Sequence, residues 1–308
     1  MKKRADDLLT PSVSPDSGAA RGAEMGRVDL FVTDRCNQSC VFCYLHAREI
    51  REAGRDFPIE PIMKVLEAGR VRGYREVDIS GGEPTVARRL PEIIRRAREL
   101  GYDRIKMMTN GSRLADPQYA QSLADAGLTN VALSIHGSSA PIYGSVHGVE
   151  RDFKRCVQAV LALRRTTPRI EVEVNTVVTR GNIGSLDALA RMVARMGIER
   201  LLVQLLVPNS PDGTAHFPGH RRAAAAFRSL IDGNSSGLRI YSAFIPPCLM
   251  PGYEEFVSPL DFTVAFLTNR PDFLVSWQKS LLAAKRVVGA CAGCAHWSGC
   301  RGFWIPTE

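Results

Sequence analysis

The sequence predicts an α/β protein built on a parallel β-sheet, and two observations lead to this fold class. Short runs rich in β-branched residues alternate with longer helical runs at a steady interval between residues 28 and 207. Six such β-α units imply a parallel sheet covered by helices, because right-handed crossovers join successive parallel strands. The chain has 308 residues, which is long enough for one large domain and a smaller one.

Each predicted element follows from its local composition. The first helix has Pro61 inside its first turn, where proline is tolerated. Because ligands of parallel α/β sheets bind at the carboxyl ends of the strands, functional residues are expected directly after each strand. The strands are short and rich in Val and Ile, and they are predicted at Val28–Val32, Glu76–Ile79, Arg104–Met108, Asn130–Ile135, Ile170–Val178 and Leu201–Val207. The helices are predicted at Ile59–Val71, Ala87–Leu100, Pro117–Ala126, Arg151–Arg165 and Ser185–Met196.

The two ends of the chain fall outside this repeating pattern. Residues 1–26 are rich in Ser, Pro, Gly and Asp and are predicted to be disordered. Residues 27–236 form the predicted β-α domain, and residues 237–308 form a small cysteine-rich domain. The chain has no apolar run of about 18 residues and no apolar segment near its N-terminus, so neither a transmembrane helix nor a signal peptide is expected. We therefore predict a cytoplasmic protein without a membrane partner.

The net charge and the cysteine content narrow the function classes. The charge of +8 fits an acidic partner, but no basic stripe interleaved with aromatic residues is present, so nucleic acid is not an expected partner. Eight cysteines in a chain with no export signal indicate metal or redox roles rather than disulfides. One of them, Cys156, lies on a predicted helix and is interpreted as a small buried core residue.

Three cysteines lie on one short loop directly after the first predicted strand. Cys36, Cys40 and Cys43 have the spacing C-x3-C-x2-C, which supplies three thiolates and no fourth. An iron–sulfur cluster is normally held by four thiolates, so three would leave one iron open to an exogenous ligand. His46 could instead complete a structural zinc site of three thiolates and one imidazole. The ligand types favour iron–sulfur but leave zinc open.

Glycines and polar residues accompany the later predicted strands. Gly81 and Gly82 come directly after the second strand, and two glycines let backbone approach a ligand closely. The neighbouring Glu83 could offset the charge of an ammonium group. Asn175 lies among β-branched residues in the fifth strand, where a buried amide needs hydrogen-bond partners that a ligand could supply. Gln204 in the sixth strand could face a ligand or make a polar core contact.

Together these motifs resemble the radical S-adenosylmethionine (SAM) superfamily. The signature of that family is C-x3-C-x2-C with an aromatic residue before the last cysteine, and Phe42 stands in that place. The motif Gly-Gly-Glu-Pro follows about 40 residues later, and the resemblance extends over residues 28–207. It implies an open partial (β/α)6 parallel barrel. It also implies a [4Fe-4S] cluster whose open iron is chelated by the amino and carboxylate groups of SAM.

The resemblance further implies a chemistry and a set of site residues. One electron, from a reductase or flavodoxin-type donor, cleaves SAM to a 5′-deoxyadenosyl radical, while the protein binds, orients and shields. Cys36, Cys40 and Cys43 are the implied catalytic cluster ligands. His136 is interpreted as a satisfied strand-end histidine and is left out of the chemistry. The implied SAM-contacting positions are Phe42, Gly81, Gly82, Glu83, Pro84, Thr109, Asn110, Ser134, Asn175 and Gln204.

Four further cysteines lie in the last third of the chain. Cys291, Cys294 and Cys300 have the spacing C-x2-C-x5-C, which resembles the central piece of the SPASM and twitch auxiliary-cluster domains of radical SAM enzymes. With Cys248 they give four thiolates, enough for a second, fully ligated [4Fe-4S] cluster. The longer SPASM pattern has further cysteines that this chain lacks, so the smaller twitch-like form is expected. A zinc ribbon, or a mixed site with His296 in place of one thiolate, stays open.

Within the superfamily, the N-terminal motif and the fifth strand look like the molybdenum-cofactor GTP 3′,8-cyclase. That family places basic residues at three positions that hold the triphosphate, where this chain has Asp29, Asp78 and Glu173. Carboxylates in a site of low dielectric would repel a triphosphate. The sequence therefore predicts a protein that does not cyclise GTP, and it suggests a substrate that carries an amine or a guanidine.

Two classes of function remain. The first is a maturase-type oxidoreductase that abstracts hydrogen from a peptide or small-metabolite substrate, with the auxiliary cluster binding substrate or accepting an electron. The C-x2-C-x5-C spacing points toward peptide and protein maturases. The second is a non-enzymatic module that binds zinc or an iron–sulfur cluster.

Overall fold

The computed structural model describes residues 26–43, 45, 54–167, 169–208, 211–258, 266–270, 285–300 and 302–304. Residues 1–25 of the segment predicted to be disordered lie outside these ranges. Eight described strands form one sheet in which every pairing is parallel. They are β1 (Arg27–Phe31), β2 (Glu76–Ser80), β3 (Arg104–Thr109), β4 (Asn130–Ser134), β5 (Glu171–Val178), β6 (Arg200–Leu205), β7 (Arg239–Ala243) and β8 (Phe266–Thr268). Their spatial order is β7-β6-β5-β4-β3-β2-β1-β8.

The first six strands confirm the predicted α/β fold with its parallel sheet. β1, β2, β3, β6 and β7 alternate in burial because successive side chains point to opposite faces, whereas β4 and the end of β5 are buried on both faces. In β1, for example, Val28 and Leu30 are fully buried, while Asp29 between them is partly exposed. One face of the sheet is therefore apolar and covered by helices. The other face carries polar and charged residues and is available to a ligand.

Eight helices accompany the sheet in the described ranges. The five predicted ones are present, with small changes at their ends. The third of them keeps its predicted bounds, because the Asp116 carboxylate accepts hydrogen bonds from the first turn and Gly127, with φ of 115°, ends it. None of the described helices is both long and apolar enough to span a membrane. The helices are α1 (Ile59–Val71), α2 (Leu90–Glu99), α3 (Pro117–Ala126), α4 (Ala140–His147), α5 (Asp152–Thr166), α6 (Leu186–Arg195), α7 (Pro211–His216) and α8 (His220–Asp232).

The sheet extends past the domain boundary that the sequence predicts at residue 236. β7 pairs with β6, with Ile240 opposite Leu201, and β8 pairs with β1, with Leu267 opposite Val28. β7 alternates buried and exposed residues as a half-buried strand does, whereas β8 has only three residues and gives almost no sequence signal. Residues beyond 236 thus complete both edges of the sheet.

A small cysteine-bearing unit near the C-terminus is attached to the sheet domain through Trp304. It consists of the antiparallel pair β9 (Lys285–Arg286) and β10 (Phe303–Trp304) and a single turn, α9 (Trp297–Cys300). Trp304 is fully buried. Its indole N–H donates to the carbonyl of Phe244 at 2.9 Å, and its backbone N–H donates to Nε2 of His220 at 2.8 Å. Cys156 is fully buried in the main core, which confirms its predicted structural role.

Candidate functional site

The cysteine loop after β1 packs directly on the glycine turn after β2. The N–H of Gly82 donates to the carbonyl of Thr33 at 2.7 Å, and the N–H of Glu83 donates to that of Arg35 at 2.8 Å. A Cβ on Gly82 would lie 2.2 Å from the Arg35 carbonyl oxygen, and Gly81 has φ of 133°. The close approach that the two glycines permit is therefore between two backbone segments, and it fixes the cysteine loop over β2.

The other side of the cysteine loop is held by the end of α4. The N–H of Ser39 donates to the carbonyl of His147, and the N–H of Val41 donates to that of Val146, both at 3.0 Å. These carbonyls lie in the last turn of the helix, which leaves such acceptors without partners inside the helix. Gly148 then ends the helix with φ of 73°. The loop is thus clamped between two elements that are distant in sequence.

The three thiols of the loop lie within electrostatic reach of one another. Burial, together with the charges of Glu83 and Cys43, raises the pKa of Cys36 to about 11, although backbone hydrogen bonds from Gln38 and Asn37 oppose this rise. Burial also raises the pKa of Cys40, again with a contribution from the other two thiols. Three thiolates in such a place repel each other unless a cation holds them, and metal binding deprotonates a coordinating thiol outright. The donor set therefore fits the core of an iron–sulfur cluster.

The spacing of these thiols differs from that of ligands converging on one ion. In the described ranges, no three His, Cys, Asp or Glu side chains gather as ligands of a single metal ion do. In a cluster with four protein thiolates, each iron takes one of them, so the thiolates need not converge on one point. His46, the fourth ligand of the zinc alternative, lies outside the described residues.

Glu83 connects the ends of β2 and β3 from a buried position. Its Oε1 accepts from the Thr109 hydroxyl at 2.5 Å and from the hydroxyl and the N–H of Thr85, and its Oε2 accepts from the N–H of Asn110 at 2.8 Å. Burial raises the pKa of this carboxyl, and the four hydrogen bonds oppose that rise. Oε2 accepts a single hydrogen bond from the described residues, so it can accept another from a donor such as an ammonium group.

The loop after β3 is joined to the cysteine loop by side-chain amides. Asn110 Nδ2 donates to Oδ1 of Asn37 at 2.8 Å, and Nδ2 of Asn37 donates to the Ser112 hydroxyl at the same distance. Asn37 stands directly after Cys36 in the chain. Asn110 therefore positions the cysteine loop, a role that the sequence pattern does not reveal.

Three of the predicted SAM-facing residues lie on one face of β4, β5 and β6. Ser134 is opposite Asn175 in the sheet register, and Gln204 is opposite Val177, two residues further along β5. Asn175 is buried, and its Oδ1 accepts no hydrogen bond within the described part of the chain. A buried amide oxygen without a partner is rare in native proteins, so it fits a polar ligand bound at this edge.

Aromatic rings pack behind the cysteine loop. Phe42 meets the ring of His136 edge-on at 4.9 Å, and His136 stacks on His147 at 4.4 Å. Nδ1 of His136 accepts from the N–H of Val177 at 3.1 Å, and burial lowers the pKa of His136 to about 3. His136 is therefore neutral and hydrogen-bonded, in agreement with its predicted structural role. His147 was missed by sequence reasoning, which predicts no helix at residues 140–147.

The predicted substrate residues Asp29 and Asp78 share one arginine. Nε of Arg27 lies 2.8 Å from a carboxylate oxygen of Asp29 and 3.8 Å from one of Asp78. The three residues lie on the polar face of β1 and β2, where Asp29 and Asp78 are register partners. Burial raises the pKa of Asp29, and the charge of Arg27 opposes this rise.

Glu173, the third predicted substrate residue, is also paired. Its carboxylate lies 2.5 Å from Nζ of Lys106 on β3 and 3.6 Å from Nε of Arg200 on β6. The three acids thus face three cations, and the polar face is balanced rather than acidic. The sequence does not show that these charges are paired, because each cation reaches its carboxylate either from another strand of the sheet or from a position two residues away in the same strand.

The four C-terminal cysteines border one cavity of about 180 Å³. His296 and Trp297 also line it. Burial raises the pKa of Cys248, and the charges of the other three thiols raise it further. Lys285 donates to the carbonyl of Cys300 at 2.5 Å, which fixes the end of the cysteine run. The cysteines on this cavity are Cys248, Cys291, Cys294 and Cys300.

A parallel sheet with a three-thiol loop at the carboxyl ends of its strands defines a partial-barrel protein with a candidate cluster site at that edge. Residues 30–203, more than half of the chain, match the family model of the Radical SAM superfamily. The chain therefore belongs to the radical SAM superfamily. The cofactors of this family are a [4Fe-4S] cluster and SAM.

Curated relatives are similar over part of their length. The probable GTP 3′,8-cyclase of Methanopyrus kandleri is 34% identical over 210 residues, which covers 67% of this chain and 62% of the relative. The probable GTP 3′,8-cyclase of Sulfolobus acidocaldarius is 30% identical over 185 residues, covering 60% of this chain and 57% of the relative. The chain thus spans about three fifths of the length of these relatives.

Solved structures show the same fold at low identity. Streptococcus suis SuiB bound to S-adenosylmethionine superposes with a TM-score of 0.68 at 16% identity, covering 91% of this chain and 73% of that one. The enzyme anSMEcpe with bound AdoMet and the Kp18Cys peptide gives a TM-score of 0.61 at 16% identity, covering 90% and 88%. These likenesses support the partial-barrel fold.

Proposed function

We propose that Cys36, Cys40 and Cys43 hold the [4Fe-4S] cluster at which SAM binds, and that the protein directs the resulting radical to a peptide or small-metabolite substrate. The observation that carries this proposal is the clamped loop, whose three thiols lie within electrostatic reach of one another and form a donor set that fits the cluster. When bound, the cluster and SAM supply a 5′-deoxyadenosyl radical that abstracts hydrogen. The residues around them bind, orient and exclude water.

Individual side chains have distinct tasks in this proposal. Phe42 and the rings behind it shield the cysteine loop from water on one side. Glu83 holds Thr109 and Asn110 in place and has one acceptor position left for the amino group of SAM. The unpartnered Oδ1 of Asn175 receives a hydrogen bond from bound SAM.

The remaining predicted contacts complete the SAM pocket. Ser134 and Gln204 extend the polar edge that Asn175 begins, since they lie on the same face. Gly81, Gly82 and Pro84 act indirectly, because the turn they form supports the cysteine loop.

A second cluster in the C-terminal cavity is part of the proposal. Four cysteines border this cavity, and a fully ligated [4Fe-4S] cluster takes four thiolates. The charges of Cys291, Cys294 and Cys300 all raise the pKa of Cys248, so each of these three thiols lies within electrostatic reach of it. We propose an auxiliary cluster of the twitch type here, which binds substrate or accepts the electron that substrate oxidation releases.

The substrate is proposed to be a peptide or a small metabolite that meets the paired charges on the polar face. Peptides are bound in the SuiB structure with its precursor peptide SuiA and in the anSMEcpe structure. A substrate amine or guanidine can approach Glu173 only by displacing Lys106 or Arg200. Recognition would therefore exchange one ion pair for another, which favours cationic substrates less strongly than three unpaired carboxylates would.

We further propose that the chain does not cyclise GTP, although its curated relatives carry that name. The three positions that would hold a triphosphate are Asp29, Asp78 and Glu173. In the structure these carboxylates are not unpaired charges that simply repel a triphosphate. They already form ion pairs with the nearby cations, so those cations are not available to bind phosphate groups. A triphosphate would have to break those ion pairs, and no excess positive charge is present to offset the free energy lost.

The experiment that tests the proposal is anaerobic reconstitution followed by reduction in the presence of SAM. The protein should hold about seven to eight irons from two clusters and release 5′-deoxyadenosine, whereas GTP should yield no cyclised product. Cys36→Ala should abolish SAM cleavage, because an iron ligand is lost. Cys291→Ala should spare uncoupled SAM cleavage yet stop substrate turnover. Colourless protein loaded with zinc, or equal behaviour of both variants, would contradict the proposal.

A further inference from the structure

A histidine on α4 reaches the cysteine loop with its side chain as well as its backbone. His147 is the last residue of α4 and is fully buried. Its ring is stacked between Tyr143 at 3.8 Å and His136 at 4.4 Å, with interplanar angles of 13° and 10°. Two parallel neighbours hold the ring plane, so the direction in which Nδ1 points is fixed by packing.

Nδ1 of His147 has two neighbours, one oxygen and one sulfur. It lies 2.7 Å from Oε1 of Gln38 and 3.6 Å from Sγ of Cys40. On the other side of the amide, Nε2 of Gln38 donates to the Tyr143 hydroxyl at 2.9 Å and to the Asp152 carboxylate at 3.3 Å. Because a carboxylate only accepts, the amide nitrogen must face Asp152 and the amide oxygen must face His147. Nδ1 therefore carries a proton.

The rest of the ring agrees with this tautomer. Nε2 has no hydrogen-bond partner in the described ranges. A proton on Nε2 would leave a buried donor unmet and would set a bare Nδ1 against the lone pairs of Gln38.

We propose that the Nδ1–H of His147 is shared between Gln38 and the Cys40 sulfur, and that this hydrogen bond raises the reduction potential of the cluster. The inference rests on the proposed role of Cys40 as a cluster ligand. Reduction adds one electron, and thus one unit of negative charge, to the cluster and its thiolates. A donor at a ligating sulfur stabilises the more negative state, and such hydrogen bonds are among the determinants of cluster potentials. His147 is a positioning residue, since it acts through Cys40.

The test is the midpoint potential of the cluster whose EPR signal responds to SAM, with dithionite as the electron source for the reconstituted full-length protein. His147→Phe keeps an aromatic ring in the stack but removes Nδ1. In this variant, the equilibrium constant for one-electron reduction of the cluster should be about tenfold smaller, which corresponds to a midpoint potential about 59 mV lower. Tyr143→Phe is the matched control, because it keeps the stack and Nδ1. Its potential should equal that of the wild type.

The outcomes separate this inference from the proposed function. An unchanged potential in His147→Phe, with a SAM-responsive cluster present, would overturn the inference and leave the proposed function intact. A wild-type protein without a SAM-responsive cluster would overturn both. If His147→Phe assembles no cluster, pulsed EPR of wild-type protein labelled with 15N-histidine decides. A weak 15N coupling transmitted through one hydrogen bond supports the inference, and its absence overturns it.

Discussion

At the scale of single residues, Asn175 is better suited to bind a ligand than to stabilise the fold. Its amide is buried at the carboxyl end of β5, and its Oδ1 accepts nothing from the described residues. A buried acceptor without a partner costs about 1–3 kcal/mol of stability. A ligand that donates to Oδ1 would recover part of that cost on binding. If SAM is that ligand, as proposed, Asn175 lowers the stability of the free protein and raises its affinity for SAM.

Asn175→Leu should weaken SAM binding without weakening the fold. The substitution removes an acceptor and keeps the branching at Cγ and the number of heavy atoms, so SAM affinity should fall by about 1 kcal/mol, roughly fivefold. The thermal midpoint should stay equal or rise, since a buried polar group without a partner is lost. Equilibrium dialysis with labelled SAM and thermal unfolding of the reconstituted protein measure the two effects.

Thr176→Val is the matched control for this substitution. Thr176 is the next residue of β5, and its hydroxyl also has no partner among the described residues. Successive strand residues point to opposite faces, so Thr176 faces away from the site. Its substitution should leave SAM affinity unchanged. Equal losses of affinity in both variants would contradict the assignment of Asn175.

At the scale of elements, the cysteine loop depends on two neighbours that close on it from opposite sides. The turn after β2 donates two backbone hydrogen bonds to the loop, and the end of α4 accepts two. Side-chain amides from the loop after β3 add a third attachment. Loops of this kind are rigid because their backbone groups are satisfied by neighbouring elements. A cluster bound here would have ligands held in advance.

Gly82→Ala should therefore disturb the cysteine loop while sparing the sheet. The added Cβ would lie 2.2 Å from the Arg35 carbonyl oxygen and 2.8 Å from that of Asp34, both backbone atoms. Such overpacking costs roughly 1–3 kcal/mol locally. Iron content and SAM cleavage should fall, and the circular dichroism of the sheet and helices should be retained.

Gly184→Ala is the control for a glycine substitution of the same kind. A Cβ at Gly184 has no neighbour within 4 Å among the described atoms. It should leave iron content and SAM cleavage at wild-type levels. Full iron content in Gly82→Ala would show that the close contact between the two loops is not needed for cluster binding.

At the scale of the whole molecule, the sequence predicts the sheet better than its edges. Periodic β-branched runs identify β1 to β6, because a buried parallel strand needs such residues on its covered face. β8 has three residues and α4 contains Gly144, so neither produces a periodic signal. Their places depend on partners far away in the chain, which local patterns do not contain.

Local sequence patterns also predict only part of the candidate site. Cysteine spacing and the glycine motif indicate the cofactors because those residue types carry the chemistry. The pairing of Glu173 with Lys106, and the contact of His147 with Cys40, arise only when strands and helices assemble. Contacts between elements that are distant in sequence cannot be predicted from local patterns. Charges that have no partner nearby in the sequence can therefore be paired in the folded protein.

The proposed chemistry requires one iron with a coordination position that the protein does not fill. Electron–nuclear double resonance of the reduced, oxygen-free protein with SAM labelled by 15N in its amino group tests this directly. We predict a strong 15N coupling to the cluster, as expected for nitrogen bound to iron, and its loss in Cys36→Ala. A cluster that shows no coupling to labelled SAM, with a protein side chain such as that of His46 as its fourth ligand, would contradict the account.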